Sequence, residues 1–328
     1  MGSLSRKFEQ RLRRFVEAVA RGSLRVCRLF SGRRAQAYMR ALSWLVRRLP
    51  DARVRRAFVR SALVLEDRQF DFAFSLRSAG IVWSAAGFPD LLTRHLMFEG
   101  TYQPEVLTAL RASARRGGVV YDIGGHHGLM AVASARAVGE GGKVITFEPN
   151  PHARRHLQRH VDLNRLTNVH VESVAISDHS TESEFFVQTG SVTWNSTLVG
   201  AFARTPAFTE VVRVPVTSVD RYVAGSDCVP DVIKIDVEGS ELAILRGSMS
   251  VLRDHRPVVI MELNPVSARA AGHTVDDYVD LLHSLSYEIW PIPEPGRRKH
   301  AGEPAREPFD ARRHIVQDEL VNVVCTPG

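Results

Sequence analysis

The chain has 328 residues, 44% apolar, 24% charged and 8% aromatic, proportions that exclude a disordered tail, a collagen-like repeat and a disulfide-stapled miniprotein. Three cysteines, Cys27, Cys228 and Cys325, lie far apart without a CxxC pair, which points to a reducing compartment and away from a zinc ribbon. The net charge of +7 is uneven, because residues 1–60 hold 17 Lys and Arg against three acids, a local +14, while the remainder carries −7.

Residues 1–95 read as a basic helical extension, separate from a second domain over residues 96–328. Phe8, Leu12, Phe15, Val16 and Val19 recur at helical spacing among arginines, and Leu42, Leu45, Val46 and Leu49 repeat the pattern. Three readings stand for residues 1–60: a helix packing its apolar stripe on the main domain, contact with an anionic membrane surface, or a nucleic-acid clamp. The start lacks the apolar core of a secretory signal, and Arg6 stands where a myristoylation signal needs Ser or Thr. The longest uncharged stretch, Phe185 to Ala203, is diluted by polar residues, so no span is expected. The expected location is cytoplasmic, with membrane association left open.

From residue 104 the texture changes to alternating helices and strands. A helix at 104–115 precedes a strand at Val119–Ile123, and a glycine-rich turn leads into a helix at about 128–138. A strand at Lys143–Glu148, a helix at 151–164 and a strand at Val169–Val174 follow. Strand-like segments at 183–188 and 211–216 form a hairpin-like excursion. The next units are a strand at Val232–Asp236 with a helix at 240–252, and a strand at Pro257–Glu262 with a helix at 274–285. Strands at Tyr287–Ile292 and Leu320–Cys325 close the pattern, joined by a long Pro-rich loop without a helix. Repeated β–α units predict a mostly parallel sheet covered on both faces, and the helix-free return predicts an antiparallel pair at its edge.

In such a sheet ligands bind beyond the carboxyl ends of the strands. The first strand ends in Asp122-Ile123-Gly124-Gly125-His126-His127-Gly128, which lacks the G-x-G-x-x-G spacing of a pyrophosphate turn. An acid opens the turn instead, suiting an ammonium or sulfonium group. Glu148 ends the second strand, where a carboxylate accepts two hydrogen bonds from ribose hydroxyls. A cationic nucleoside without phosphate describes S-adenosylmethionine.

With these residues in view, the chain from about Phe98 to Val324 resembles the FkbM family of S-adenosylmethionine-dependent methyltransferases. The matching segments are Val119–Gly128, Phe147–Pro151, Val174–Asp178, Asp231–Gly239 continuing to Gly247, and Arg256–Glu262. The resemblance implies a Rossmann-like class I methyltransferase fold, an α/β seven-stranded mostly parallel sheet with an antiparallel edge strand. It also implies methyl transfer, usually to oxygen, on small molecules, sugars or lipids. Carried over by position, Asp122, Gly124 and Gly128 surround the methionine part of the cofactor. Glu148 holds the ribose, Pro149 and Asn150 shape the loop, and Ala175 and Ile176 flank the adenine. Gly125-His126-His127 departs from the family's usual Ala-Asn-Ile; the two imidazoles either face solvent or place one base in the site.

Catalysis is read at the fourth strand. Lys234 and Asp236 share a face and Glu238 follows just past the strand end. Either Lys234 forms a structural ion pair with Asp236 or Glu238, or Asp236 positions the acceptor or takes its proton, with Lys234 tuning it and Glu238 fixing the turn. No metal is assigned, although Asp236, Glu262 and Asn264 offer oxygen ligands of the type Mg²⁺ prefers. Thr193–Leu198 suits an acceptor loop or an ordinary turn. His152, His156 and His160 repeat every four residues and read as a solvated helix face. The expected partner is a small-molecule or glycan acceptor; a nucleic-acid methyltransferase and a non-catalytic cofactor-binding module are the alternatives.

Overall fold

A computed structural model describes residues 2–65, 67, 70–76, 80–87, 90–188, 196–200, 208–293, 308–310 and 319–328. The chain forms two compact units, one of residues up to Tyr102 and one from Gln103 onward.

In the first unit three helices, α1 (Gly2–Val26), α2 (Gly32–Val46) and α3 (Ala52–Ser61), precede an antiparallel hairpin, β1 (Ala73–Leu76) and β2 (Ile81–Ser84), and α4 (Leu91–Phe98) follows. The hairpin corrects the all-helical reading of residues 1–95. Its first strand follows Phe70 and Phe72, and with Phe74 and Leu76 these make a run whose alternate side chains are buried, the period of a half-buried strand. On α1 one of the three sequence readings, packing of its apolar stripe, is not met. Ala20, Leu24 and the adjoining Cys27 form its buried stripe, whereas Phe15 and Val19 of the expected packing stripe are 66% and 49% exposed.

The second unit begins with α5 (Pro104–Ser113). Next come β3 (Val119–Ile123), α6 (Leu129–Val138), β4 (Lys143–Phe147), α7 (Pro151–Leu163) and β5 (Val169–Glu172). An excursion adds β6 (Ala175–Ile176), β7 (Thr181–Gln188) and β8 (Phe208–Thr217). Then follow α8 (Val219–Ser226), β9 (Val232–Ile235), α9 (Glu241–Arg246), α10 (Met249–Asp254) and β10 (Val258–Leu263). The unit closes with α11 (Pro265–Ala270), α12 (Val275–Ser284), β11 (Tyr287–Pro291) and β12 (Val321–Pro327). Of the loop before β12, residues 294–307 and 311–318 lie outside the described residues.

The seven-stranded sheet has the order β11-β12-β10-β9-β3-β4-β5. Only β12 runs against its neighbours, pairing antiparallel with both β10 and the edge strand β11. Strands β3, β4 and β9 are buried almost throughout, as helices on both faces of a parallel sheet require. Chain order runs outward in opposite directions from β3 and β9, so the crevice between their carboxyl ends is the switch point where such sheets bind ligands.

The excursion forms its own three-stranded sheet, β6-β8-β7, around Ala175, Phe185, Val187, Val214 and Val216. The single helix expected at 240–252 is two. Gly247 separates α9 from α10, and a Cβ there would stand 2.1 Å from the Ser177 carbonyl oxygen. Close packing of that turn against the chain after β6 sets the break. Helices α8 and α11 are additional to the sequence reading; both are short, which weakens any periodic signal.

Candidate functional site

A cleft of about 590 Å³ opens beyond the carboxyl ends of β3, β4 and β9. The turn after β3, the segments following β4 and β9, the stretch Val174–Ile176, and Phe185 with Ser196–Leu198 of the excursion form its walls.

The turn is shaped by close approach. Gly124 has φ +84°, and a Cβ there would lie 2.0 Å from the Asp236 carbonyl oxygen. Gly124→Ala is expected to lower the unfolding free energy by about 2–4 kcal/mol, combining left-handed strain with overpacking. Urea denaturation measures this; unchanged stability means the two strand ends separate easily. The N–H groups of Gly124 and Gly125 both donate to the Phe147 carbonyl, at 3.0 and 3.1 Å. They are thus committed to the sheet and do not face a phosphate. Gly128 is the N-cap of α6.

Glu148 joins the turn to the second strand end. Its Oε2 accepts the His126 N–H at 2.6 Å and its Oε1 accepts the Asn150 N–H at 2.8 Å. Burial raises its carboxyl to about 7 against the pull of these two backbone donors. One backbone donor on each oxygen leaves each a further lone pair, the requirement for gripping a vicinal diol. Asn150 caps α7, its Oδ1 accepting the N–H groups of His152 and Ala153 at 2.9 and 3.4 Å. Its Nδ2 donates to Ser196 Oγ at 3.2 Å, tying this wall to the excursion.

A polar row crosses the buried sheet. Asp122 stands opposite Thr146 in the β3–β4 register and opposite Lys234 in the β3–β9 register. Thr146 Oγ1 donates to Asp122 Oδ2 at 3.3 Å. Lys234 Nζ lies 3.4 Å from Asp122 Oδ1 and 3.2 Å from Asp236 Oδ2. Burial acts to neutralise Lys234, but the carboxylates of Asp236 and Asp122 outweigh it and hold the ammonium charged, its titration raised above the ordinary lysine range. Asp236 lies one residue past β9 on the cleft wall, its side chain 39% exposed. Glu238 lines the same wall; burial first, and Asp236 second, raise its carboxyl to about 7. Nearby Glu262 is raised to about 8 by burial and by Asp236 and Glu238. Thr197 Oγ1 donates to the Glu238 carbonyl at 2.6 Å, fixing the loop that carries the carboxyl.

The structure therefore brings Gly124, Glu148, Pro149, Asn150, Ala175, Ile176, Asp236 and Glu238 to one cleft. Asp122, Gly128 and Lys234 stand behind its wall, and Asp122 is fully buried. Lys234 pairs with Asp236, as one sequence reading had it, and also with Asp122, which that reading missed. Asn264 donates through Nδ2 to Glu262 at 3.4 Å while its Oδ1 caps α11. Residues 193–195 of the expected acceptor loop lie outside the described residues, but Ser196, Thr197 and Leu198 line the cleft. Sequence reasoning missed Phe185, because the alternation of an edge strand does not show which ligand site it adjoins.

The histidines require correction. His127 is buried, 2% exposed, and stacks on His126 with centroids 4.0 Å apart, while His126 lines the cleft. Burial, then the neighbouring His126, His156 and His160, push the His127 imidazole well below its usual range, so it stays neutral. His160 is also buried, donating through Nδ1 to the His127 carbonyl at 2.7 Å. The repeat on α7 thus supports the turn from behind, and only its first member, His152, is exposed.

The cleft has the chemistry of a non-phosphorylated, cationic nucleoside. Ile123, Phe147, Val174 and Ile176 offer an apolar plate, Glu148 a diol acceptor, and Asp236 with Glu238 an acidic end. No Lys or Arg occurs among the described residues lining it. The sheet order and the cleft at its switch point define a Rossmann-like class I methyltransferase fold. The chain belongs to the FkbM methyltransferase family, whose domain model, Methyltransferase FkbM domain, matches residues 122–289.

Comparison with solved structures finds similarities of fold. A methyltransferase FkbM from Methylobacillus flagellatus KT is 16% identical with TM-score 0.36, over 62% of this chain and 50% of that one. A SAM-dependent O-methyltransferase from Thermotoga maritima is 15% identical with TM-score 0.38, over 76% and 77%. The O-methyltransferase TomG from Streptomyces achromogenes, solved with SAM, is 11% identical with TM-score 0.39, over 70% and 82%. The chain spans half the length of the first of these. Comparison with curated protein sequences returns no match.

Proposed function

We propose that this chain transfers a methyl group from S-adenosylmethionine to a hydroxyl oxygen of a small molecule, sugar or glycan. The observation that carries the reading is Glu148, buried at the second strand end with one backbone donor on each carboxylate oxygen. A ribose diol completes its hydrogen bonding, and the apolar wall from Val174 to Ile176 takes the adenine. The cofactor supplies an electrophilic methyl on a sulfonium, attacked in line by the acceptor oxygen. Asp236, held through Oδ2 by Lys234, presents its other oxygen to the acceptor hydroxyl. As the oxygen is alkylated its proton passes to that Asp236 carboxylate, and Glu238 lines the same wall beside it. Lys234 and Asp122 position Asp236 from behind and touch neither ligand.

The absence of Lys and Arg from the described cleft lining favours a neutral acceptor over a nucleic-acid backbone, which needs cations along its path. Incubation with labelled cofactor should label hydroxylated small molecules or glycans; labelling confined to amines or to RNA would overturn the oxygen assignment.

A pH dependence follows from Glu148 and Glu238, both raised to about 7. Below that pH the carboxyls are neutral in the free protein, and above it they are anionic. Affinity for the cationic cofactor should therefore rise as pH goes from 6 to 8, by about tenfold more than affinity for S-adenosylhomocysteine, which lacks the sulfonium. Calorimetry of both ligands tests this, and a constant ratio would place the sulfonium away from the carboxyls.

A further inference from the structure

The first unit carries a surface that the cleft does not use. On α1, Phe15, Val19 and Val26 fall within about 40° of helical arc, on the side away from the buried Ala20 and Leu24. Exposed Arg14, Arg21 and Arg25 run along one flank of that stripe. Leu29, just beyond α1, is 79% exposed. The end of α2 repeats the arrangement: Trp44 is 50% exposed beside Leu45, and the Arg48 guanidinium lies 3.6 Å from the Trp44 ring centroid.

Few acids offset these arginines. Of the three among residues 1–60, Glu17 already accepts from Arg13 at 3.2 Å and Arg60 at 3.1 Å. Asp51 caps α3. A helix that points its aromatic and aliphatic residues outward and borders them with arginine is built for a medium that is apolar within and anionic at its rim.

We propose that these helices lie on an anionic phospholipid surface. Phe15, Val19, Leu29 and Leu45 enter the acyl boundary, and the bordering guanidiniums remain at phosphate level on their aliphatic stems. Trp44 sits at the headgroup level, where its amphipathic ring is at home. Two other occupants fit less well. A nucleic acid satisfies the arginines but gives Phe15 and Val19 no apolar partner. A second copy of the chain would set one basic surface against another. No described helix is long and apolar enough to cross a membrane.

The test uses the full chain in co-sedimentation with vesicles of phosphatidylglycerol and phosphatidylcholine, against phosphatidylcholine alone. Binding should be at least roughly tenfold tighter to the anionic vesicles and should fall with added salt. Phe15→Ser with Val19→Ser, and separately Trp44→Ser with Leu45→Ser, should each weaken it about tenfold. Arg14→Gln with Arg21→Gln and Arg25→Gln should do the same by the charge route. All these side chains are exposed, so melting temperature and affinity for S-adenosylhomocysteine should be unchanged. Absence of vesicle binding overturns the proposal. So does binding that the apolar variants leave intact while duplex DNA is bound as tightly, or a loss of dimer mass by light scattering in the Phe15 and Val19 variant.

Discussion

Glu148→Ala should weaken binding of both S-adenosylmethionine and S-adenosylhomocysteine by roughly a hundredfold or more. Hydrogen bonds to a charged acceptor are worth about 1.5–3 kcal/mol each, and the proposed grip on the ribose uses two. The substitution also strips the His126 and Asn150 N–H groups of their shared acceptor, loosening the turn and the loop that frame the nucleoside. Because the ribose is common to both ligands, both affinities should fall, that for S-adenosylmethionine somewhat further because Glu148 also adds negative charge to the site of the sulfonium. Glu148→Gln should be intermediate: its amide keeps one acceptor oxygen but turns an NH₂ toward a backbone donor. Isothermal calorimetry on folded variants decides the matter. A dissociation constant within threefold of the parent would remove the ribose from this wall.

The second large effect is on turnover. Asp236→Asn should reduce kcat by about 10²- to 10⁴-fold, the range expected when a positioned acid–base group is lost, with cofactor affinity within about threefold. Equal losses in binding and turnover would reassign Asp236 to cofactor retention. Lys234 should behave differently because it acts through its neighbours. Lys234→Met removes the cation between Asp122 and Asp236 and leaves Asp122 as a buried, uncompensated charge, a change that typically costs about 3–5 kcal/mol. Combining it with Asp122→Asn should recover most of the stability but not the turnover, since Asp236 then lacks its anchor. A double variant that is both stable and fully active would show that Asp236 needs no positioning.

Much of this was legible before any coordinates. The acid–glycine turn, Glu148 twenty residues beyond Gly128, and the run Asp231–Gly239 are local patterns on strands that must be buried on both faces. Their apolar continuity announces the strand, and the glycine and carboxylate at its end announce the site. The histidines were less legible. His126 and His127 follow a glycine pair, and His152, His156 and His160 repeat on a helix. Nothing in either spacing shows that α7 packs behind the turn and buries His127 and His160 together. The outward stripe of α1 escaped for a related reason: helical periodicity identifies a face but not what covers it. The small residue Ala20, with Leu24, turned out to be the packed side.

By itself the sequence determined the alternation of strands and helices, a mostly parallel core with an antiparallel pair at its edge, and the two strand ends bearing Glu148 and Asp236, because these depend on period and on residue type within a few positions. The tertiary structure alone decided that Asp122 faces Lys234 rather than the cleft, that Phe185 of a separate sheet and Ser196 beyond it line the site, and that Phe15 and Val19 point away from the fold. Those outcomes depend on the register between strands more than a hundred residues apart in the chain and on which of two apolar faces packs more closely, and both are settled only when the whole core is assembled.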